Sequence, residues 1–201
     1  MANLIRLAVP SDGPALADIY RPAVTDSATS FELVPPDGAT MTQRVAHIME
    51  RTPWLVFERD GVVLGYAYAG IHRERPAYQW SIEVSAYVHR DAHRMGVARA
   101  LYTSLFAALV VQGFRNAYAG ITLPNEASVG LHTAMGFRSV GVYHGIGYKH
   151  GAWHDVVWLE RALAPRDESP RAPRILPECL NNPLVKPTLD AALERGLPGI
   201  R

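Results

Sequence analysis

Residues 93 to 99 read His93-Arg94-Met95-Gly96-Val97-Ala98-Arg99, between an alternating apolar stretch and a stretch of helical period. A strand-to-helix turn of this kind exposes consecutive backbone N–H groups at the positive end of a helix dipole, which favours an anion. Gly96 removes a side chain where a phosphate must approach, and Ala98 keeps the next turn slim. Arg94 and Arg99 can add charge-assisted hydrogen bonds. The lysine and the Gly-x-x-x-x-Gly-Lys spacing of a P-loop are missing, as is Gly-x-Gly-x-x-Gly. One glycine at such a turn also has a purely structural reading. Upstream, Ile82, Val84 and Ala86 alternate with Ser81, Glu83 and Ser85, which puts Glu83 on the face opposite the aliphatic residues. Glu83 is then either a surface carboxylate or an acid–base group.

These residues need elements to position them. Leu4–Val9 reads as an opening strand, and Ser11-Asp12-Gly13-Pro14 as a helix start with a serine cap and an early proline. Thr40 and Gln43 have capping-box spacing before the stripe Val45, Ile48 and Met49. Trp54–Arg59 and Val62–Gly70 are apolar runs joined by Asp60-Gly61, a hairpin signal because both residues tolerate positive φ. After the polar loop His72–Ala77 come a strand Trp80–Val88, a helix Val97–Gln112 stopped by Gly113, and a strand Ala117–Thr122. A helix Ala127–Met135 ended by Gly136 and two final strands to Glu160 complete the order β-α-α-β-β-β-α-β-α-β-β. That order predicts an α/β domain, a mixed central sheet flanked by helices.

The 201 residues suit one domain with an extension; 48% are hydrophobic and 19% charged, enough for a packed core. The formal net charge of +1 gives no overall pull toward nucleic acid or an anionic membrane. Leu105–Val111, the longest apolar stretch, falls short of the roughly 20 residues that span a bilayer. The N-terminus lacks a basic region followed by an apolar run. Cys179 is alone, so no intramolecular disulfide forms, which fits a reducing compartment. A cytoplasmic protein is expected. After Leu163 the composition changes: Ala164–Pro177 is rich in proline and charge and reads as a linker or extended arm, and Leu189–Arg195 as a short helix. The expected division is a domain over 1–163 and an extension over 164–201, outside the catalytic unit.

Arg94-Met95-Gly96-Val97-Ala98 resembles the Arg/Gln-x-x-Gly-x-Gly/Ala signature of the GNAT acetyltransferases, with the arginine two places before the glycine rather than three. Leu123-Pro124-Asn125-Glu126-Ala127-Ser128 and Leu131-His132-Thr133-Ala134-Met135-Gly136-Phe137 look like the second half of that fold. Thr29-Ser30-Phe31-Glu32, Arg75-Pro76-Ala77-Tyr78-Gln79-Trp80, Glu83 and Tyr148-Lys149-His150-Gly151-Ala152-Trp153-His154-Asp155-Val156 are similar to segments of the phosphinothricin and methionine sulfoximine/sulfone acetyltransferases. The resemblance runs from about Leu4 to Leu163 and implies the GNAT fold.

It also implies acetyl-CoA as co-substrate and the α-amino group of a small amino-acid-like substrate as acceptor; another amine (a peptide N-terminus, a polyamine or an antibiotic) and a non-catalytic acyl-CoA-binding module are the alternative readings. Glu83 would be the general base, directly or through one water, because an ammonium has no lone pair to attack a thioester. Main-chain groups of Ala86, Tyr87 and Val88 would hold the pantetheine arm and polarise the acetyl carbonyl. Arg94, Met95, Gly96, Val97, Ala98 and Arg99 would hold the phosphates, with Asn125 reaching in from a neighbouring loop or capping the next helix. His132 would protonate the leaving thiolate or be a buried structural histidine. Arg75 and Tyr78 would read an anionic group on the substrate, and Phe31 would wall the pocket. Taken alone, Arg75 is an ordinary solvated loop charge. Members of the family commonly pair as homodimers, and the aromatic C-terminal strands offer a self-complementary surface.

Three further signals carry no chemistry in this reading. His150 and His154 have helical metal-site spacing, but Gly151 and Trp153 favour a loop or strand, and no metal is expected. Gly145 and Gly147 read as a turn or bulge. Tyr66, Tyr68, Trp153 and Trp158 read as core or interface residues.

Overall fold

The computed structural model describes residues 3–197. Its order is β1 (Asn3–Leu7), α1 (Gly13–Thr25), α2 (Gly38–Met49), β2 (Trp54–Arg59), β3 (Val62–Ile71), β4 (Ser81–Val88), α3 (Val97–Gln112), β5 (Asn116–Thr122), α4 (Glu126–Ala134), β6 (Arg138–Lys149) and β7 (Ala152–Ala162). Two helices follow, α5 (Leu176–Asn181) and α6 (Lys186–Leu193). The predicted order of elements through Ala162 holds.

The strands form one seven-stranded mixed sheet in the order β1-β2-β3-β4-β5-β7-β6. All neighbours are antiparallel except β4 and β5, which run parallel. Period two sorts the side chains between two faces. Leu55, Phe57, Ala67, Ala69, Ile82, Val84, Ala117, Ala119 and Ile121 pack under α3 in one cluster. Trp54, Val56, Tyr66, Tyr68 and Tyr87 pack with α1 and α2 in another. Glu83 lies on that second face.

Both predicted helix caps move. Ser11 sits in a 3-10 turn, Pro10–Asp12, and α1 begins without a side-chain cap. Asp12 is instead buried, accepting from the backbone N–H of Val9 at 2.8 Å and from both terminal nitrogens of Arg6 at 2.8 and 2.9 Å. In α2 the cap is Asp37, whose Oδ1 accepts from the Thr40 N–H at 2.8 Å, so Thr40 is already inside the helix. An aspartate at the right spacing caps as well as threonine, and here it lies one turn earlier.

Residues 164–175 form neither helix nor strand, and from Leu176 on the extension is docked. Leu176, Cys179, Leu189 and Ala192 are buried against Ala108 of α3, and Leu193 and Leu197 reach the main core. Gly196 donates its N–H to Ser104 Oγ at 3.0 Å. A Cβ there would run into the Ala100 carbonyl, so only glycine lets the chain lie this close to α3. The Trp80 indole N–H ties the intervening segment to the sheet through the Arg171 carbonyl at 2.9 Å. Among the described residues no helix is long and apolar enough to cross a membrane.

Candidate active site

The sheet splits in the middle. β4 pairs with β3 over Ile82–Val88. It pairs with β5 only at Ser81↔Asn116, Ile82↔Ala117 and Glu83↔Tyr118. Beyond Glu83 the two parallel strands diverge, and β5 continues along β7 to Thr122↔Val156. The β5-facing backbone groups of residues 84–88 therefore have no strand partner, and such groups need hydrogen bonds from elsewhere. An extended chain bearing amides can bond to a strand edge of this kind.

The predicted phosphate turn stands at the mouth of the wedge. Gly96 has φ 86° and ψ 0° and is the N-cap of α3, with no side-chain cap. Arg94 also takes positive φ, 62°. The first amide bonded back into the helix is that of Ala100, to the Gly96 carbonyl at 2.9 Å. The N–H groups of Val97, Ala98 and Arg99 accordingly precede the helical ladder and are free to meet an anion. Val97 is buried and packs where a Cβ on Gly65 of β3 would be, which fixes the helix end against the sheet. Arg94, Met95 and Arg99 are exposed, as a phosphate site at the surface requires. By the spacing of the signature its first position falls on His93, whose Nε2–H donates to the Val88 carbonyl at 3.0 Å. Sequence reading gave His93 no role; its spacing was the available signal.

Glu83 is the last paired residue before the split, and its side chain is 36% exposed. His72, from the end of β3, places Nδ1 2.9 Å from Glu83 Oε1. Arg73 brings NH1 within 3.6 Å of the same oxygen, with its guanidinium over the Trp158 ring at 5.9 Å. The sequence favoured Arg75 over Arg73, and the structure brings Arg73 to Glu83. Arg75 is exposed and precedes the 3-10 turn Pro76–Tyr78, accepting the Tyr78 N–H at 2.9 Å. Tyr78 turns its ring edge-on to His72 at 6.4 Å, which brings the loop within reach of Glu83.

Phe31 approaches the same face from the segment between α1 and α2. Its ring lies where a side chain on Gly147 would be and is tilted against His154 at 6.3 Å. Its neighbours hold it there. Ser30 bonds Tyr20 at 2.6 Å and receives the Lys149 ammonium on its carbonyl at 2.6 Å. Glu32 takes a bidentate pair from Arg44 at 2.7 and 2.9 Å. That guanidinium holds the Glu32 carboxyl below its ordinary range, and burial pushes the Lys149 ammonium down. The register of β6 against β7 shifts between Tyr143 and Gly147, and Gly145 takes positive φ. The bulge expected there is present, and it makes the place for Phe31.

His132 is 5% exposed inside the core. Its Nδ1 faces the Ser128 carbonyl at 2.8 Å and must carry the hydrogen. Nε2, 3.1 Å from the Tyr102 hydroxyl, is then an acceptor in a neutral ring. Burial lowers its pKa, against the opposing effect of the Ser128 bond. Asn125 caps α4, its Oδ1 accepting the Ser128 N–H at 3.1 Å. His150 lies in a turn and His154 in β7, bonded to the carbonyls of Ser27 and Lys149.

A mixed sheet that opens beside an uncapped helix N-terminus is the arrangement that the resemblance to the GNAT acetyltransferases implies. Residues 5–158 match the family model for the acetyltransferase (GNAT) domain, and the chain belongs to the GNAT family of N-acetyltransferases. It is 39% identical over 170 residues to phosphinothricin N-acetyltransferase from Streptomyces viridochromogenes, covering 85% of this chain and 91% of the relative. It is 31% identical over 172 residues to the L-methionine sulfoximine/L-methionine sulfone acetyltransferase of Pseudomonas paraeruginosa, covering 85% and 100%. Among solved structures, a GNAT superfamily phosphinothricin acetyltransferase from Sinorhizobium meliloti in complex with AcCoA superposes with a TM-score of 0.77. It is 32% identical, with 85% of this chain and 96% of that one covered.

Proposed function

We propose that the chain moves acetyl from acetyl-CoA to the α-amino group of a small amino acid of the phosphinothricin, methionine sulfoximine or methionine sulfone type. The observation that carries the reading is the divergence of β4 from β5 at Glu83, directly upstream of the uncapped N-terminus of α3. Acetyl-CoA supplies an acyl group already activated as a thioester. The residues present fit it: an open strand edge along Ala86, Tyr87 and Val88, with the Tyr87 groups turned to β3 and the Val88 carbonyl already taken by His93, for the amides of the arm, and free N–H groups at Val97, Ala98 and Arg99 for the pyrophosphate. Gly96 lets the phosphate approach, Met95 lies beside it, and Arg94 and Arg99 add charge. Asn125, its oxygen committed to the cap, offers Nδ2 to the same ligand.

Glu83 takes the proton that the substrate ammonium must lose, directly or through one water. Arg75 and Tyr78 receive the anionic or strongly polar group of the substrate, and Phe31 closes one side. For the departing thiolate His132 is a weak candidate, because both ring nitrogens are engaged inside the core. His132 is a structural residue in this reading. The chain acts as a homodimer through β6 and β7, where Val140, Val142, Tyr143, Ile146, Tyr148 and Trp153 are exposed. Light scattering of the purified protein tests that pairing.

Coenzyme A release is the deciding assay, with phosphinothricin, methionine sulfoximine, methionine sulfone, ordinary amino acids, a polyamine and a short peptide as acceptors. Saturable turnover confined to the first three supports the substrate class. Turnover with only the peptide or polyamine discards that class and keeps the acetyltransferase. Glu83→Gln should lower kcat by about 100-fold or more. Unchanged kinetics would remove Glu83 as the base.

A further inference from the structure

We propose that His72 is a positioning residue for Glu83: it holds one carboxylate oxygen and thereby presents the other to the substrate amine. The proposal rests on reading Glu83 as the base. A carboxylate only accepts hydrogen bonds, so at 2.9 Å from Oε1 the His72 Nδ1 carries the hydrogen. Arg73 approaches the same oxygen at 3.6 Å. The hydrogen bond from His72 and the nearby Arg73 charge, whose NH1 donates to the His72 carbonyl at 2.9 Å, both fall on Oε1, and Oε2 becomes the proton acceptor.

The imidazole is itself held. It lies flat on Tyr118 at 4.4 Å, with an interplanar angle of 11°. Trp158 and Tyr78 meet it edge-on at 6.0 and 6.4 Å. Its side chain is 13% exposed, against 36% for Glu83. A glutamate on a half-open strand has several rotamers, and confining it costs side-chain entropy. A stacked, nearly buried donor imposes that confinement before substrate arrives, and reacting groups gain rate from being held in a productive geometry. Tyr118 is also the residue paired with Glu83 across the last rung of β4 and β5. The clamp and the base therefore share one anchor.

His72→Phe keeps a ring for the Tyr118 stack and removes the donor, His72→Asn keeps a donor at the Nδ1 position, and His72→Gln moves the donor outward. We would measure kcat, the KM of each substrate, the pH profile of kcat and thermal melting for the three variants, for Glu83→Gln and for His72→Phe/Glu83→Gln. The expected result is a loss in kcat of about 10- to 100-fold in His72→Phe and His72→Gln with the KM for acetyl-CoA within about twofold, and recovery to within about fivefold of wild type in His72→Asn. In the Glu83→Gln background, His72→Phe should cost nothing further, because the group it positions is gone. Should His72→Phe fail to fold, the contrast of His72→Asn with His72→Gln carries the same test. Near-normal kcat in His72→Phe and His72→Gln beside a crippled Glu83→Gln would overturn the clamp and leave the base standing, as would independent, multiplying losses in the double variant. A Glu83→Gln enzyme with normal kcat would instead remove the base, and the clamp with it.

Discussion

The ring of Phe31 occupies the space that a side chain at Gly147 would fill. The two residues are far apart in the sequence. The glycine opens a gap in β6, and the segment anchored by Tyr20, Arg44 and Lys149 puts an aromatic wall into it. Gly147→Ala should therefore push Phe31 out of place while leaving the strand intact. The expected outcome is an amine KM raised about 5- to 50-fold with the acetyl-CoA KM unchanged, matching Phe31→Ala in direction. Steady-state kinetics with both substrates varied checks it; an unaltered amine KM would show that Phe31 does not wall the pocket.

The cap of α3 offers a second test, on the other substrate. Gly96 sits at φ 86°, which costs a Cβ-bearing residue about 1 kcal/mol or more. Gly96→Ala should raise the acetyl-CoA KM at least about tenfold and lower the melting temperature by a few degrees. The amine KM should not move. Calorimetric titration of the variant with coenzyme A, compared with desulfo-coenzyme A, reads binding apart from turnover.

The pair His132–Tyr102 makes stability depend on pH in a window where carboxylates contribute little. Burial holds the His132 pKa below its ordinary 6.5. Between that lowered value and about 6.5, the unfolded chain takes up a proton that the folded chain refuses. Stability is therefore complete above pH 6.5 and declines as pH falls through the window. Asp12 and Glu32, whose pKa values are lowered mainly through Arg6 and Arg44 against burial, act only below about pH 4.5. Melting of wild type and His132→Gln from pH 7.5 to 5 should show a steeper loss in wild type. Equal slopes would remove His132 as the cause.

For the C-terminal extension the prediction is thermodynamic. Leu189 is fully buried between α6 and α3. Leu189→Ala should cost about 2–4 kcal/mol in urea unfolding if the extension folds with the domain. A loss well below 1 kcal/mol would mean that it detaches before the domain unfolds.

Residue pattern reached some of these features and missed others for physical reasons. Period two placed Glu83 opposite Ile82 and Val84, because a half-buried strand writes its two faces directly into the sequence. Gly96 and Gly113 marked both ends of α3 because both positions need positive φ. His72 left no such trace: it stands at a strand end, in no periodic pattern, and its partner is eleven residues away across the hairpin. The same loop holds Arg73 and Arg75, and only the backbone path decides which of them faces Glu83. Docking of the extension was hidden because its buried residues, Leu176, Cys179 and Leu189, are spaced widely among prolines and charges. Composition averages over them, whereas α3 meets them one at a time.

The split in the sheet has a mechanical side. Three rungs, Ser81–Asn116 to Glu83–Tyr118, are among the described residues the only strand pairing between β1 to β4 and the group β5, β7 and β6, and the shared core under α3 holds the two half-sheets together below the split. Glu83 sits on the last rung. The proposed base therefore stands at the closed end of the wedge, where the two half-sheets are still bonded to each other, and the proposed binding edge beside it lies where they have parted.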